Sequence, residues 1–301
     1  MIFKKLTPDE RVAVFGDRAE AWKGTLSSEQ FIERNHRLYK HPFGQKRIST
    51  YALIDEKKIC ASMDILDIEL KVKRKSGIES EKGCLLASVI TPKEMRNQGY
   101  AKKLLSEFFD ARPTLKGVGY SDIGPEYYKA YGFAPQKVYV VEGNATEKTL
   151  ESSPSIELKE FLTGLNTCRQ AELLCHSENS AFVAPDPEFL DWHLERYRYF
   201  AEITQNKLPE KNTYRLIHSN QEHLIFSVPN FAKNLLEGLR VTSGCIHCEA
   251  WLSNEAFRLG LKGYLYWDVL PPAHSYKHEW PVLRTGHQNS FFVDPQLCDW
   301  W

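Results

Sequence analysis

The sequence has no excess of either charge: 39 lysines and arginines stand against 39 aspartates and glutamates. Without a basic surplus there is no electrostatic footing for nucleic acid or for an anionic membrane surface, and neither is expected as a partner. No apolar run approaches the ~20 residues that a membrane helix needs. The opening, MIFKKLTPDERVAVF, lacks the apolar segment and small-residue cleavage site of a secretory signal. The seven cysteines are odd in number and scattered, so they imply no disulfide framework. They read as reduced thiols, and the expected compartment is cytoplasmic, with nuclear as the alternative. Cys245 and Cys248 form the one CxxC pair, and without a second pair no metal is expected. No strong internal repeat is visible, and no motif with a clear mechanism is found in the second half.

What is present is an ordinary globular composition, 42% hydrophobic and 26% charged over 301 residues, enough for one large domain or two of ordinary size. MIFKKL reads as a first strand. Thr7-Pro8-Asp9-Glu10 is a helix start, and Ser27 or Ser28 opens a second helix with Phe31, Ile32 and Leu38 on its apolar side. RISTYALID and KICASMDILDIELKVK alternate apolar and polar residues around Asp55-Glu56-Lys57-Lys58, the pattern of a hairpin. KRKSGIESEKG reads as a charged loop. CLLASVI fits a strand buried on both faces. Ala101, Leu104, Leu105, Phe108 and Phe109 recur at helical spacing. LKGVGYSDI is then a strand, GPEYYKAYGF a short helix closed by glycine, and QKVYVVEG a strand. The polar stretch EGNATEKTLESSPSIEL marks the expected boundary between a first domain, 1–145, and a mixed α/β domain, 146–301. In the second, DPEFLDWHLERYRYFAEI reads as a helix starting at proline, LKEFLTGLNTCRQAELLCHSEN as another, and HLIFSVPN, LRVTSGCIHCEAWL and KGYLYWDVL suggest strands. The element order leaves room for a degenerate duplicate of the first half.

Between the strand CLLASVI and the helix after it lies RNQGYA. A strand that runs into a glycine-containing loop and then a helix N-terminus exposes backbone N–H groups, a natural anion site. Gly99 allows close approach of a ligand and Arg96 adds charge. Such turns are also common without any ligand.

The loop resembles motif A of the GCN5-related N-acetyltransferases, Arg/Gln-x-x-Gly-x-Gly/Ala, here Arg96-x-x-Gly99-x-Ala101 after SVITP. A second stretch, GPEYYKAYGF, resembles the family's motif B, an aromatic pair before xxxGF, and the two motifs follow in the family's order. The resemblance covers about residues 1–145. It implies a mixed central sheet, acetyl-CoA as co-substrate and acetyl transfer to an amine. By the match, Val89 and Ile90 would bind the pantetheine arm through their backbone. Arg96, Asn97, Gln98, Gly99, Tyr100 and Ala101 would hold the pyrophosphate, and Tyr128 would protonate the departing thiolate. Tyr131 and Phe133 suit the core, and Tyr127 suits either role. GYSDIGPEYYKAYGF further resembles a fungal subgroup containing lysine N6-acetyltransferases, which carry a long C-terminal extension. That implies free L-lysine as the small-molecule acceptor, with a protein or peptide amine as the alternative. A non-catalytic CoA-binding sensor is the alternative of another class, and the intact loop and Tyr128 argue against it.

An amine acceptor with an ordinary pKa near ~10.4 arrives protonated at pH 7, so a carboxylate must take its proton. Asp122, at the end of the strand, and Glu126, at the helix start, are the candidates. Both residue types also suit a helix N-terminus without any catalysis. Asp64 and Asp67, on the hairpin, would face substrate or solvent.

Overall fold

The protein is described from a computed structural model covering residues 1–142 except 25, 122, 125 and 136–138, then 163, 166, 170, 173–174, 178–184 and 186–203, and three later strands. Strand β1 (Ile2–Lys5) leads into helix α1 (Pro8–Arg11), and helix α3 (Ser28–Lys40) follows α2 (Phe15–Trp22). Thr7 and Glu10 form a reciprocal capping box at α1, and Ser27 and Gln30 repeat it at α3. Helix α4 (Pro42–Arg47) leads directly into strand β2 (Ile48–Asp55). Four helices therefore precede the hairpin where two were expected. The additional ones are short: α2 is eight residues and α4 six, too few turns for a periodic pattern to stand out.

β2 meets β3 (Lys58–Arg74) through a tight turn in which Glu56 and Lys57 both have positive φ, 43° and 71°. That is the twist a two-residue hairpin requires. β4 (Gly77–Ile90) follows at once. The segment KRKSGIESEKG is thus not a loop: it holds the end of β3, a turn at Lys75–Ser76 and the start of β4. Its polarity belongs to an exposed ladder whose strands are cross-linked, with Lys71 on Ser80, and Arg74 and Lys116 both on Glu81.

Helix α5 (Tyr100–Asp110) and strand β5 (Lys116–Ser121) come next, then a 3-10 helix (Tyr127–Tyr131) closed by left-handed Gly132, and β6 (Ala134–Pro135). β8 (Ala181–Val183) and β11 (Trp280–Arg284) come from much later in the chain. They join the same sheet, whose order is β1-β2-β3-β4-β5-β11-β6 with β8 beside β3. β4 and β5 are parallel and the other pairs antiparallel, which makes the sheet mixed. β7 (Tyr139–Glu142) lies in a second sheet between β10 (Lys262–Leu265) and β9 (Ile246–Cys248). Helix α6 (Pro187–Ile203) starts at the expected proline. The segments LKEFLTGLNTCRQAELLCHSEN, in all but a few positions, and HLIFSVPN lie outside the described residues, as does the boundary stretch after Glu142.

Side chains alternate across β3. Leu66, Ile68, Leu70 and Val72 enter a core with Phe15, Leu38, Phe43 and Trp192 under the N-terminal helices and α6. Met63 and Ile65 enter another with Leu104, Leu105, Phe108, Phe109 and Phe133 under α5. α6 is tied to α3 and α4 by Trp192, whose indole N–H donates to the Leu38 carbonyl at 2.9 Å, and by the ring of Phe43 at 5.0 Å from that of Trp192. Among the described residues no helix is long and apolar enough to cross a membrane.

Asp64, on the face of β3 toward α2, is fully buried. Its carboxylate accepts two bonds from the Arg18 guanidinium, at 2.6 and 3.1 Å, one from Thr50 Oγ1 at 2.6 Å, and one from the Tyr39 hydroxyl. Asp64 therefore faces neither substrate nor solvent. Asp67, three residues on, is exposed. Burial works against the Arg18 charge, but Asp64 and Tyr39 outweigh it and hold the guanidinium firmly protonated.

Candidate active site

Two strands part at the centre of the sheet. β4 and β5 pair from Gly83/Lys116 to Leu86/Gly119, and their ladder ends there. On its other side β4 stays paired with β3, but the register shifts: Asp64 faces Ala87 and Ser62 faces Ile90. Two steps along β3 thus match three along β4, a β-bulge. Ser88 sits at the bulge with φ 50°, an uncommon conformation for a side chain larger than glycine. The bulge turns the end of β4, with Val89 and Ile90, away from β5. Among the described residues the backbone edge of Val89 and Ile90 toward β5 has no strand partner, so an extended polar ligand can pair with it.

The loop lies at the open end of this split. After Pro92, a 3-10 turn (Lys93–Met95) leads to Arg96, whose Nε donates to the Thr91 carbonyl at 3.3 Å. Gln98 Nε2 reaches the Glu94 carbonyl at 3.5 Å, and Asn97 has φ 63°. Arg96, Asn97, Gln98 and Gly99 are all exposed. Gly99 is the N-cap of α5 with φ 78° and no side-chain cap, and a Cβ built there meets nothing within 4 Å. The first helical bond runs from Lys103 N–H to the Gly99 carbonyl, so the N–H groups of Tyr100, Ala101 and Lys102 have no partner inside the helix. The first turn of α5 also holds no acidic residue. Acids usually occupy that turn, where they oppose the positive end of the helix dipole; here Lys102 and Lys103 add to it. An open, doubly positive helix start with glycine at its mouth fits a pyrophosphate. The signal for this charge lies in the sequence itself, in Lys102 and Lys103 just after the glycine loop.

Tyr128 lies in the 3-10 helix and is 6% exposed, within the core under α5, its ring 6.0 Å from Phe133. Tyr131, also buried, donates its hydroxyl to the Lys102 carbonyl at 3.2 Å, which ties this helix to the first turn of α5. Burial pushes the Tyr131 hydroxyl up to about 12, so it stays a donor at any physiological pH. Phe133 is core and Tyr127 is partly exposed. Glu126 is exposed, at 69% side-chain exposure, and pairs with Lys129 at 2.5 Å. Asp122 lies outside the described residues. A further carboxyl comes from α2. Asp17 is half-buried, and burial together with the charges of Glu94 and Glu20 pushes it above the ordinary aspartate range. Glu94 belongs to the turn that follows β4, so Asp17 feels the charge of that turn. The sequence offered no signal for it, since nothing local links α2 to residue 94. Among the described residues no group of His, Cys, Asp and Glu could hold a metal. His247 and His193 lie in β9 and α6, and Cys245 lies outside the described residues.

No protein-family model matches the chain, and no curated protein matches it. Solved structures do match in shape. One, from Enterococcus faecalis V583 and described as a probable N-acyltransferase, aligns with TM-score 0.51 and 11% identity over 95% of this chain and 73% of its own. A GCN5-related N-acetyltransferase from Kribbella flavida gives 0.48 and 12% over 94% and 71%. An acetyltransferase from Brucella melitensis in complex with acetyl-CoA gives 0.33 and 14% over 44% and 81%. At these identities the likeness is one of fold. The chain has the mixed α/β fold, with its central mixed sheet, that the two motifs implied.

Proposed function

We propose that the protein is an acetyl-CoA-dependent N-acetyltransferase acting on a small amine by direct transfer within a ternary complex, with the N6 amine of free L-lysine as acceptor. One observation carries the acetyl-CoA part: a bulged β4 that parts from β5 directly before a helix whose positive start is uncapped and begins at glycine. The backbone edge of Val89 and Ile90 suits the amides of a pantetheine arm. The loop from Arg96 to Ala101 suits a pyrophosphate. Bound acetyl-CoA supplies an acyl group already activated as a thioester.

The remaining work falls to side chains. An ammonium must lose a proton before it can attack, and Asp122, Glu126 and Asp17 are the carboxyls available. Asp17 has the environment of a proton acceptor, since burial and like charges favour its protonated form. Glu126, paired with Lys129 and exposed, is the least suited. We assign to Tyr128 the return of a proton to the leaving thiolate, the role its motif match implies. Support for lysine comes from the stretch GYSDIGPEYYKAYGF. Free lysine also presents an α-carboxylate and an α-ammonium, which a site can require together and a peptide cannot supply.

The test is kcat/KM for lysine, cadaverine and a lysine-containing peptide, read by CoA release. Steep preference for lysine is expected. Equal or better use of the peptide overturns the free-lysine assignment in favour of a protein acetyltransferase. No CoA release with any amine, alongside tight CoA binding, would favour a sensor.

A further inference from the structure

We propose that the acyl-transfer site is completed from the far end of the chain: β11, Trp280–Arg284, is the positioning strand that holds β5 and the Tyr128 helix at the split. The inference rests on reading the split as the acetyl-CoA site. β5 has β4 as a backbone partner only as far as Gly119. Among the described residues its last two, Tyr120 and Ser121, which wall the split, pair on one side only, with Pro281 and Trp280 of β11. The same strand grips β6 through Val282 opposite Pro135 and Leu283 opposite Ala134. The segment bearing Tyr128 runs from the end of β5 to the start of β6. Both of its ends are therefore fixed by one five-residue strand, reached only after the chain has passed through the second sheet.

Hydrogen bonds within the segment do not substitute for this. Ser121 Oγ donates to the Gly124 carbonyl at 2.6 Å, and Tyr131 ties the Tyr128 helix to the first turn of α5, but neither bond joins the end of β5 to β4. If β11 leaves, β5 keeps only its four-residue pairing with β4. The end of β5 is then free to close or widen the split. The Arg96–Ala101 loop, which belongs to β4 and α5, keeps its shape. The two halves of the site should thus respond differently: CoA is still held by the loop, while transfer slows because the segment that bears Tyr128 has lost its support at both ends.

The experiment uses the full chain with Leu283→Pro, which removes an N–H between β5 and β6, and Leu283→Gly as a milder weakening should the proline variant not fold. A displacement of about 1 Å at reacting groups costs up to about 10²-fold, so kcat is expected to fall by roughly that factor while CoA affinity, by calorimetry, changes less than about threefold. Hydrogen exchange should speed up for residues 117–121 and not for 61–70. A general destabilisation would move both segments together. Wild-type kcat and unchanged exchange at 117–121 would overturn the proposal, and so would equal acceleration of both segments. Docking is read separately, and without any need for activity. The pair Val118→Cys/Leu283→Cys, directly opposite in the ladder, should form a disulfide under mild oxidation, and Val118→Cys/Val282→Cys, on opposite faces, should not. Failure of the first pair to cross-link overturns the β11 placement even if the acetyl-CoA reading holds. Cross-linking and altered exchange in a protein that never consumes acetyl-CoA would leave the placement standing and reject that reading instead.

Discussion

Both faces of the central sheet carry an apolar core, and one of them also encloses a charged cluster. On one, Asp64 of β3 sits beneath α2 and α3 with Arg18, Tyr39 and Thr50, a charged cluster shut away from water. On the other, α5 lies on Leu104, Leu105, Phe108 and Phe109 over Met63 and Ile65 of the same strand. The apolar face gains from area alone, roughly 1.5–3 kcal/mol for each large side chain buried. The polar face gains little net from its ion pair, because desolvating two charges offsets their attraction, yet it depends on every partner being present. The proposed catalytic elements, α5 and the Tyr128 helix, stand on the face that has no such dependence. The charged cluster, by contrast, ties α2 and α3 to β3, and on the same face Trp192 docks α6 against α3 and α4.

The largest effects should come from opening each face in turn. Asp64→Ala leaves the Arg18 guanidinium buried without its carboxylate and should cost about 3–5 kcal/mol in urea unfolding. Phe108→Ala on the opposite face should cost a similar amount, about 3–5 kcal/mol, through lost burial and a cavity. The faces separate in the double replacement. Arg18→Met with Asp64→Leu removes both charges and should recover most of the Asp64→Ala loss. If the double variant is no more stable than Asp64→Ala, the polar face is not held by charge pairing as described.

Next in size is the catalytic effect on the apolar face. Tyr128→Phe keeps the packing against Phe133 and removes only the hydroxyl. Turnover should fall roughly 10²-fold with thermal stability and CoA affinity nearly unchanged. A phenylalanine variant with full activity would leave Tyr128 as a core residue only.

The smallest effect belongs to the rim of the polar face. Burial works to raise the Asp191 carboxyl, but hydrogen bonds from Arg198 and His41 outweigh it and hold it below its ordinary 3.8. A depressed carboxyl contributes stability above its unfolded pKa and loses it as pH falls through the folded value. Asp191 is about half exposed, so Asp191→Asn should cost no more than about 1 kcal/mol at pH 7. The gap between the variants should close as pH drops below about 4. A gap that does not narrow at all as the pH is lowered from about 5 toward 2 would mean that Asp191 contributes through packing instead.

What could be read from the sequence followed local rules. The capping boxes at Thr7 and Ser27, the Glu56-Lys57 turn, the helix after Gly99 and the proline start of α6 each rest on neighbours within a few residues. The mixed sheet followed from the buried run at Cys84–Ile90 together with the two motifs. What could not be read is long-range. The Arg18–Asp64 pair joins residues 46 apart, and nothing local marks Asp64 as buried rather than solvated. β11 enters between β5 and β6 with no local sign of its place. The far half of the β3–β4 hairpin was hidden because cross-strand ion pairs look like loop polarity in one dimension. In the site, the loop and the Tyr128 helix were legible by motif. The carboxyl of Asp17 was not, because its relation to Glu94 exists only in three dimensions.

The central claim is that the open start of α5 holds the pyrophosphate of acetyl-CoA, and Gly99 tests it most directly. Its φ of 78° and the empty space around a built Cβ mean that a side chain there is strained in backbone and occupies the open mouth of the helix, without clashing with the protein. Calorimetric titration of CoA into the wild type and Gly99→Val, with thermal melts of both, makes the measurement. The account predicts saturable binding to the wild type and at least about tenfold weaker binding to the variant, a loss of roughly 1.4 kcal/mol, in a protein that still melts cooperatively. Equal affinity in a folded Gly99→Val protein, or no binding to the wild type, would contradict it.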